Sequence, residues 1–206
     1  PGSQLHINQD NNNSPDRIVD TAVITLNNTA PGLGLFFRDS ENAGSNSETI
    51  GSVILGAGHN VIAADYTGGT ATRFGTLTLS AAAGNAIGRT NNATTLVVGR
   101  NLGSIAYGSV LIADTGGRIV ITTVPTGVTA PVGGAGADGT TTASIFPYMI
   151  GQATTGAPTA ADVGNSFVRH TSGRLRPLST ATGVDAESIF DAPGFNLLAD
   201  STASHV

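Results

Sequence analysis

Short apolar runs alternate with turns rich in Gly, Asn and Thr between residues 48 and 121. Residues 50–55 and 74–79 match position by position, because each run has Gly second, a small hydroxyl residue third, and apolar residues at positions one, four and six. A chain that returns to the same short strand at regular spacing is typical of a solenoid. The alternation continues at Leu96, Val98, Val110, Ile112, Ile119 and Ile121.

The same pattern predicts parallel stacking of strands in an all-β fold. With the two runs aligned, Val53 should stack on Leu77 and Leu55 on Leu79, so that like residues form apolar ladders about 4.8 Å apart. Asn-Gly or Asp-Gly pairs mark two-residue antiparallel turns, and residues 138–139 are the only such pair. We therefore predict a parallel β-helix, with a β-sandwich as the alternative. A structure that places Leu55 and Leu79 in opposite sheets would contradict the solenoid.

The chain divides into five segments by composition and pattern. Pro177 limits the strand around it to a sheet edge or a strand end, and Asp185 is a candidate cap for one short helical turn. The predicted segments are a remnant of an expression tag (residues 1–3), a polar loop (4–16), solenoid coils (17–123), a Gly-rich loop (124–142), and further strands with a C-terminal excursion of the same solenoid (143–206).

Composition removes several classes of function. Charged residues make up 11% of the chain, the formal net charge is -5, and all nine basic residues are Arg, spread from Arg17 to Arg176. Nucleic-acid binding would need a basic stripe, which this distribution does not predict. The absence of Lys excludes Schiff-base and P-loop chemistry within these residues. The absence of Cys excludes disulfides and thiolate metal sites, and no apolar run predicts insertion into a membrane.

Acidic side chains are the first candidates for chemistry, because polysaccharide-active β-helix enzymes use clustered carboxylates. Asp39 and Glu41 form a local pair that could hold calcium, whereas Asp65 and Asp114 are isolated. Arg89 occupies the position equivalent to Asp65 in the next copy of the pattern, so stacking would give the two an opposite-charge ladder with a structural role. Glycoside hydrolysis needs two carboxyl groups about 5 to 9.5 Å apart, which this pattern does not predict.

Sugar-binding and catalytic side chains are also sparse. The chain has no Trp, and Tyr66 is the residue we would test for sugar binding. His59, His170 and His205 are scattered, and no Gly-x-Ser-x-Gly motif occurs. We therefore predict no catalytic residue, no cofactor and no metal ligand, and expect that the protein is not an enzyme.

Several motifs occur in an order that resembles the autotransporter-associated β-strand repeat proteins, which are large bacterial surface or secreted chains. The motifs are residues 96–103 (LVVGRNLG), Ile150-Gly151, Ser166-Phe167-Val168, and residues 173–178 (GRLRPL). The likeness covers most of residues 17 to 200, although Arg100 follows Gly99 where the family has the Arg first. The resemblance implies a right-handed parallel β-helix passenger region at the cell surface.

Two functions follow as hypotheses. The first is a structural stalk, fibre or adhesin-like segment, which packs against neighbouring repeats, presents residues 126–142 and 152–165 as loops, and contacts a surface glycan or host ligand. The second is a polysaccharide-binding or polysaccharide-degrading β-helix. A solenoid segment exposes strand edges, so we expect end-to-end self-association unless residues 4–16 or 185–206 act as caps.

Overall fold

The fold is all-β, as the apolar alternation predicts. The computed structural model describes residues 3–9, 16–28, 32, 34–40, 46–68, 73–81, 84–102, 116–134, 143–171 and 173–178. These residues form fourteen strands and one 3-10 helix, and no helix among them has the length and hydropathy of a membrane span.

Three strands form a small parallel sheet, in which β5 lies between β2 and β8. Its members are β2 (Ile24–Leu26), β5 (Val53–Leu55) and β8 (Ile87–Arg89).

The remaining strands form one mixed sheet with two parallel branches. The first branch is β1 (Gln4–Gln9), β3 (Gly34–Asp39), β6 (His59–Tyr66), β9 (Thr94–Arg100) and β12 (Ser144–Thr154). The second branch is β4 (Ser47–Ile50), β7 (Phe74–Leu79) and β10 (Gly116–Ile121). Two antiparallel strands, β13 (Ser166–Thr171) and β14 (Arg174–Pro177), join β12 to β10, and the short β11 (Val132–Gly133) pairs with β12.

The chain visits these three groups in a fixed order. It passes from the small sheet to the first branch and then to the second branch, as β2-β3-β4, β5-β6-β7 and β8-β9-β10. Each visit lays a strand parallel to the strand of the previous visit, so that Val53 pairs with Ile24 on one side and Ile87 on the other. The sequence intervals from Ile24 to Val53 and from Val53 to Ile87 are unequal. Both are longer than the interval between the aligned runs 50–55 and 74–79.

One apolar core lies between the three groups of strands. It contains Leu55 from the small sheet, Ile62 from the first branch and Leu79 from the second branch, all fully buried. Aliphatic residues follow one another across the strands of a branch, as Ile50, Leu79 and Ile121 do. Each buried aliphatic side chain contributes about 1.5–3 kcal/mol to stability. Because side chains from all three groups share this core, their burial stabilises the packing of the three groups against one another.

The branches approach closely where glycine replaces a larger side chain. A Cβ atom on Gly117 of β10 would overlap the carbonyl group of Ala64 on β6, and one on Gly75 would overlap the carbonyl oxygen of Asp65. Only residues without a side chain fit at this corner. Of the two glycines at the second position of the sequence pattern, Gly75 lies at this corner, whereas a Cβ atom on Gly51 would overlap the carbonyl oxygen of Ala22.

The alignment of residues 50–55 with residues 74–79 is wrong as a stacking register. Leu55 lies in the small sheet beside Leu26 and Arg89, whereas Leu79 lies in the second branch beside Ile50 and Ile121. This outcome contradicts the solenoid in the form in which the sequence predicts it. The physical reason is that strands of all three groups turn alternate residues toward one core, so that all carry the same apolar period.

The ends of the chain also differ from the expectation. Residues 4–9 form a strand and not a loop. Of residues 17–26, where the solenoid coils are expected to begin, only Ile24–Leu26 is a strand. Near the other end, β13 and β14 are antiparallel, and Pro177 lies at a strand end as expected. The sequence between these two strands is Ser-Gly, a turn dipeptide that the search for Asn-Gly and Asp-Gly misses. The helical turn expected after Asp185 lies outside the described residues.

Candidate functional site

Asp39, the first calcium candidate, is fully buried at the end of β3. Its Oδ2 atom accepts a hydrogen bond from the backbone N–H of Asn46 at 2.9 Å, and Oδ1 accepts one from the Asn46 side-chain amide at 3.1 Å. The carboxylate therefore links the end of β3 to Asn46, the residue before β4. Glu41 lies outside the described residues, and those residues include no group of three or more His, Asp or Glu that could hold a metal ion.

Asp65 belongs to an opposite-charge ladder, but its partner is not Arg89. The Nε atom of Arg100 donates to Asp65 Oδ1 at 2.8 Å, and Asp65 is fully buried. On the other side, Arg38 of β3 stands opposite Asp65 in the strand register. The carboxylate thus bonds β6 to β9 through Arg100. Arg38 stands opposite it on β3, with its guanidinium donating to Thr67 Oγ1 at 3.4 Å, so opposite charges alternate across the three strands.

Arg89 has a different structural role on the small sheet. Its guanidinium lies over the ring of Tyr148 at 5.1 Å from the centroid, and its Nε donates to the carbonyl oxygen of Ala93 at 2.6 Å. The Tyr148 hydroxyl donates to the carbonyl oxygen of Thr129 at 2.9 Å. Burial raises the pKa of Tyr148 above its ordinary range, and Arg89 lowers it in part, so the phenol remains a neutral donor.

Neither of the two tyrosines that the structure describes is a surface platform for sugar binding. Tyr66 is fully buried and Tyr148 is 3% exposed, whereas sugar-stacking aromatics must be open to the ligand. Tyr107 lies outside the described residues, as does Asp114.

The described histidines remain apart from one another. The Nδ1 atom of His59 lies 2.9 Å from Thr94 Oγ1. His170 lies on β13, where burial and then the nearby charge of Arg169 lower its pKa below the usual value. His205 lies outside the described residues. The two predicted histidines that the structure describes lie on different strands, His59 on β6 and His170 on β13.

Glu48 is a buried carboxylate that the sequence analysis missed. It lies on β4 and accepts hydrogen bonds from the backbone N–H of Ile18 at 2.7 Å and of Arg17 at 3.1 and 3.2 Å. Burial raises its pKa, and the two backbone donors offset part of this rise. The sequence could have indicated the burial of Glu48, because Glu48 lies two residues before the apolar Ile50 and must share its inward face in a strand.

A face rich in arginine on the antiparallel strands was also missed. Arg169 pairs with Arg176 across β13 and β14, and Arg174 pairs with Val120 of β10. The Arg118 guanidinium lies 3.1 Å from the centroid of the Phe74 ring. Burial, and then the charge of Arg174, lower the pKa of Arg118 to about 10. Strands β7, β10, β13 and β14 contain no Asp or Glu. The sequence feature that could have indicated this face was therefore a local excess of positive charge.

The two loops expected to protrude are tied to the sheets in the parts that the structure describes, residues 126–134 and 152–165. In the first, the 3-10 helix Gly127–Thr129 is held by Asn85, whose side chain bonds to the backbone N–H of Thr126 at 2.9 Å and to Thr129 Oγ1 at 3.2 Å. In the second, Gln152 donates to Asp162 Oδ1 at 3.0 Å and accepts from the backbone N–H of Gly164 at 2.9 Å. Most side chains of residues 155–163 are nevertheless exposed.

Comparison with known proteins finds no matching family model, no matching curated protein and no matching solved structure.

Proposed function

We propose that the chain is a structural segment of a large bacterial cell-surface or secreted protein, in which a right-handed parallel β-helix acts as a stalk, fibre or adhesin-like passenger. Its partners would be neighbouring repeats of the parent chain, and the loops on its sides would present a surface to a glycan or host ligand. On this proposal the segment has no catalytic role and works outside the cell.

The repeated order of strand visits carries the proposal. Each visit to the three groups adds one parallel strand to each group, and all three groups bury their inner faces in one core. Such a unit cannot bury its apolar face alone and is stabilised by its neighbours, which is the physical basis of a solenoid. In place of the rejected alignment of residues 50–55 with 74–79, this β-helix stacks Ile24, Val53 and Ile87 in the small sheet.

The use of the charged groups supports a structural role. Asp39, Glu48 and Asp65 are fully buried, and each carboxylate bonds to a group that fixes a turn or a neighbouring strand. A polysaccharide-active site would need accessible carboxylates and aromatic rings. Of the three residues named for that alternative, Asp39 and Tyr66 are buried and Glu41 lies outside the described residues. No further contact in the part of the chain that the structure describes favours it.

A cysteine pair tests the proposed architecture in a chain that has no native cysteine. Thr49 and Thr78 are partners in the parallel register of β4 and β7, and such partners lie about 4.8 Å apart, within the reach of a disulfide. The T49C/T78C variant should form an intramolecular disulfide on mild oxidation. The matched control is I54C/T78C, which joins two positions that the rejected alignment would stack. A disulfide in the control but not in T49C/T78C would reject the architecture.

Binding to a glycan array, with and without calcium, tests the proposed function. The structural proposal predicts no calcium-dependent binding, because the described carboxylates are committed to the fold. Calcium-dependent binding to a defined polysaccharide would overturn it in favour of a lectin-like or lyase-like protein.

A further inference from the structure

Two arginines lie side by side on neighbouring strands of the mixed sheet. Arg118 is on β10 and Arg174 is on β14, where it stands opposite Val120, two residues along β10 from Arg118. Residues two apart on a strand share a face, so both arginines lie on the same face of the sheet. Diagonal neighbours of this kind are within the reach of long side chains. One small ligand can therefore contact both guanidinium groups.

The guanidinium of Arg118 is held by an aromatic ring. It lies over Phe74 of β7, 3.1 Å from the ring centroid, and the side chain is half-buried. Its Nε atom is buried and has no hydrogen-bond partner among the described residues. A guanidinium packed on a ring keeps its fork of donors in a fixed plane, and this fork binds sulfate, phosphate or carboxylate oxygens through paired hydrogen bonds.

In the part of the chain that the structure describes, neither arginine has a counter-charge. Strands β7, β10, β13 and β14 contain no Asp or Glu. The side chains of Arg118 and Arg174 form no ion pair or hydrogen bond with a described residue. Asp39 and Asp65 bond instead to Asn46 and Arg100. Two positive charges therefore lie together without a described carboxylate to balance them.

This juxtaposition has a cost that an anion would offset. Burial, and then the charge of Arg174, lower the pKa of Arg118 to about 10. The charged form of Arg118 is therefore less favourable here than in water. An anion between the two arginines would replace part of the lost hydration and screen their repulsion.

Two further arginines on these strands have contacts of their own. Arg176 pairs with Arg169 across β13 and β14, and its Nη1 atom donates to the carbonyl oxygen of Pro177 at 3.0 Å. Arg169 is 3% exposed and is also bonded. Both add positive potential to the region, but the site consists of Arg118 and Arg174.

We propose that Arg118 and Arg174 together bind a divalent tetrahedral oxyanion, sulfate or phosphate, either as a free ion or as the terminal phosphate of a larger molecule. Two guanidinium groups carry two positive charges, which a dianion balances and a carboxylate does not. Charge-assisted hydrogen bonds from arginine to such oxygens are among the strong ones in proteins. Binding here needs neither calcium nor a neighbouring repeat, so it can fail while the structural role stands.

Isothermal titration calorimetry of the whole chain with inorganic sulfate and inorganic phosphate, at constant ionic strength, tests this inference. The expected result is saturable binding of one ion per chain, with acetate binding much more weakly. Acetate binding as tightly as sulfate would overturn the preference for a dianion. No binding of either sulfate or phosphate would overturn the site.

Arginine variants locate the site. R118Q and R174Q should each raise the dissociation constant for sulfate about tenfold or more, because each removes charged hydrogen-bond donors. The matched control is R17Q, which removes the same charge at an exposed residue before β2. R174Q leaves the contact between Arg118 and Phe74 in place, so it tests the site even if R118Q does not fold. Equal weakening in R17Q would contradict the assignment.

Comparison of ligands identifies the source of the oxyanion. Tighter binding of glycerol phosphate than of inorganic phosphate would assign the group to a larger molecule, and equal or weaker binding would assign the free ion. A phosphate monoester has its second pKa at about 6, so its binding should weaken as the pH falls below this value while sulfate binding persists. Monoester binding that stays constant through this range would overturn the requirement for two charges.

Discussion

Glu48 shows how one side chain can carry both a structural contact and a pH dependence. Its carboxylate is buried on the edge strand β4 and is satisfied by backbone N–H groups and not by a cation. Burial raises its pKa above the ordinary carboxyl value of 4.5. The ionised form is therefore less favourable in the folded protein than in the unfolded chain.

The Glu48→Gln variant tests this assignment. Between the ordinary pKa and the raised pKa, the folded state binds more protons than the unfolded state, so this group lowers the free energy of unfolding as the pH rises. Gln does not titrate but keeps one oxygen acceptor for Ile18. We expect the stability of the parent chain, relative to E48Q, to fall as the pH rises above about 4.5 and then to level off. Urea denaturation at a series of pH values measures it, and parallel curves for the two proteins would refute the assignment.

The pair Asp65 and Arg100 gives a second prediction at the same scale. Asp65 is fully buried, whereas the Arg100 side chain is 24% exposed. Removing Arg100 leaves a buried carboxylate without its bonded partner, which costs roughly 3 kcal/mol or more. Removing the charge with Asp65→Asn leaves an arginine that can reach water, so the cost should be smaller.

Chemical denaturation of R100M and D65N compares the two. The order of stability should be parent, then D65N, then R100M. A smaller loss in R100M than in D65N would show that Arg38, opposite Asp65 in the register, is enough to balance the carboxylate.

Single elements are held in place by polar side chains as well as by ladders. The 3-10 helix has no side-chain cap of its own, and Asn85 supplies the contacts to Thr126 and Thr129 that fix it beside β8. A short 3-10 helix is marginal without such support. Its position therefore depends on one residue of the preceding visit to the small sheet.

Asn85→Ala should release this element locally. Each lost side-chain hydrogen bond is worth about 0.5–1.5 kcal/mol, so exchange of the amide hydrogens of residues 126–130 should accelerate several-fold while the exchange in β7 stays unchanged. Asn165→Ala, at an exposed side chain in the other loop, is the control. Equal acceleration throughout the chain would show that Asn85 supports the whole fold and not this helix.

At the scale of the molecule, the core connects sheets that share no strand pairing. Leu55 and Leu79 lie in different sheets, yet both belong to one buried cluster. Cavities at the two positions should therefore lower the same global stability. Leu55 and Leu79 are both fully buried, so shortening either side chain leaves a cavity inside the core and not at the surface.

Leu55→Ala and Leu79→Ala should each lower the free energy of unfolding by about 2–5 kcal/mol. Both variants should keep a single cooperative transition when tyrosine fluorescence and circular dichroism are followed together. Two separate transitions in either variant would show that the small sheet and the branches are independent units.

The sequence determined the class of the fold and the positions of several strands. Alternation of apolar residues identified β7 and β10, because a strand with one buried face must carry that period wherever it lies. The sequence also identified Asp65 as a residue with a structural role in a charge ladder. These properties follow from local geometry, which neighbouring residues along the chain are sufficient to specify.

The tertiary structure decided which strands are neighbours. Val53 pairs with Ile24 and Ile87, and Asp65 with Arg100, through connections whose lengths differ from one visit to the next. Because the strands of every sheet share one apolar period, the pattern does not state the sheet to which a strand belongs. The burial of Tyr66 and Asp39 depends on the same choice of neighbours, so only the folded chain excludes them as surface sites.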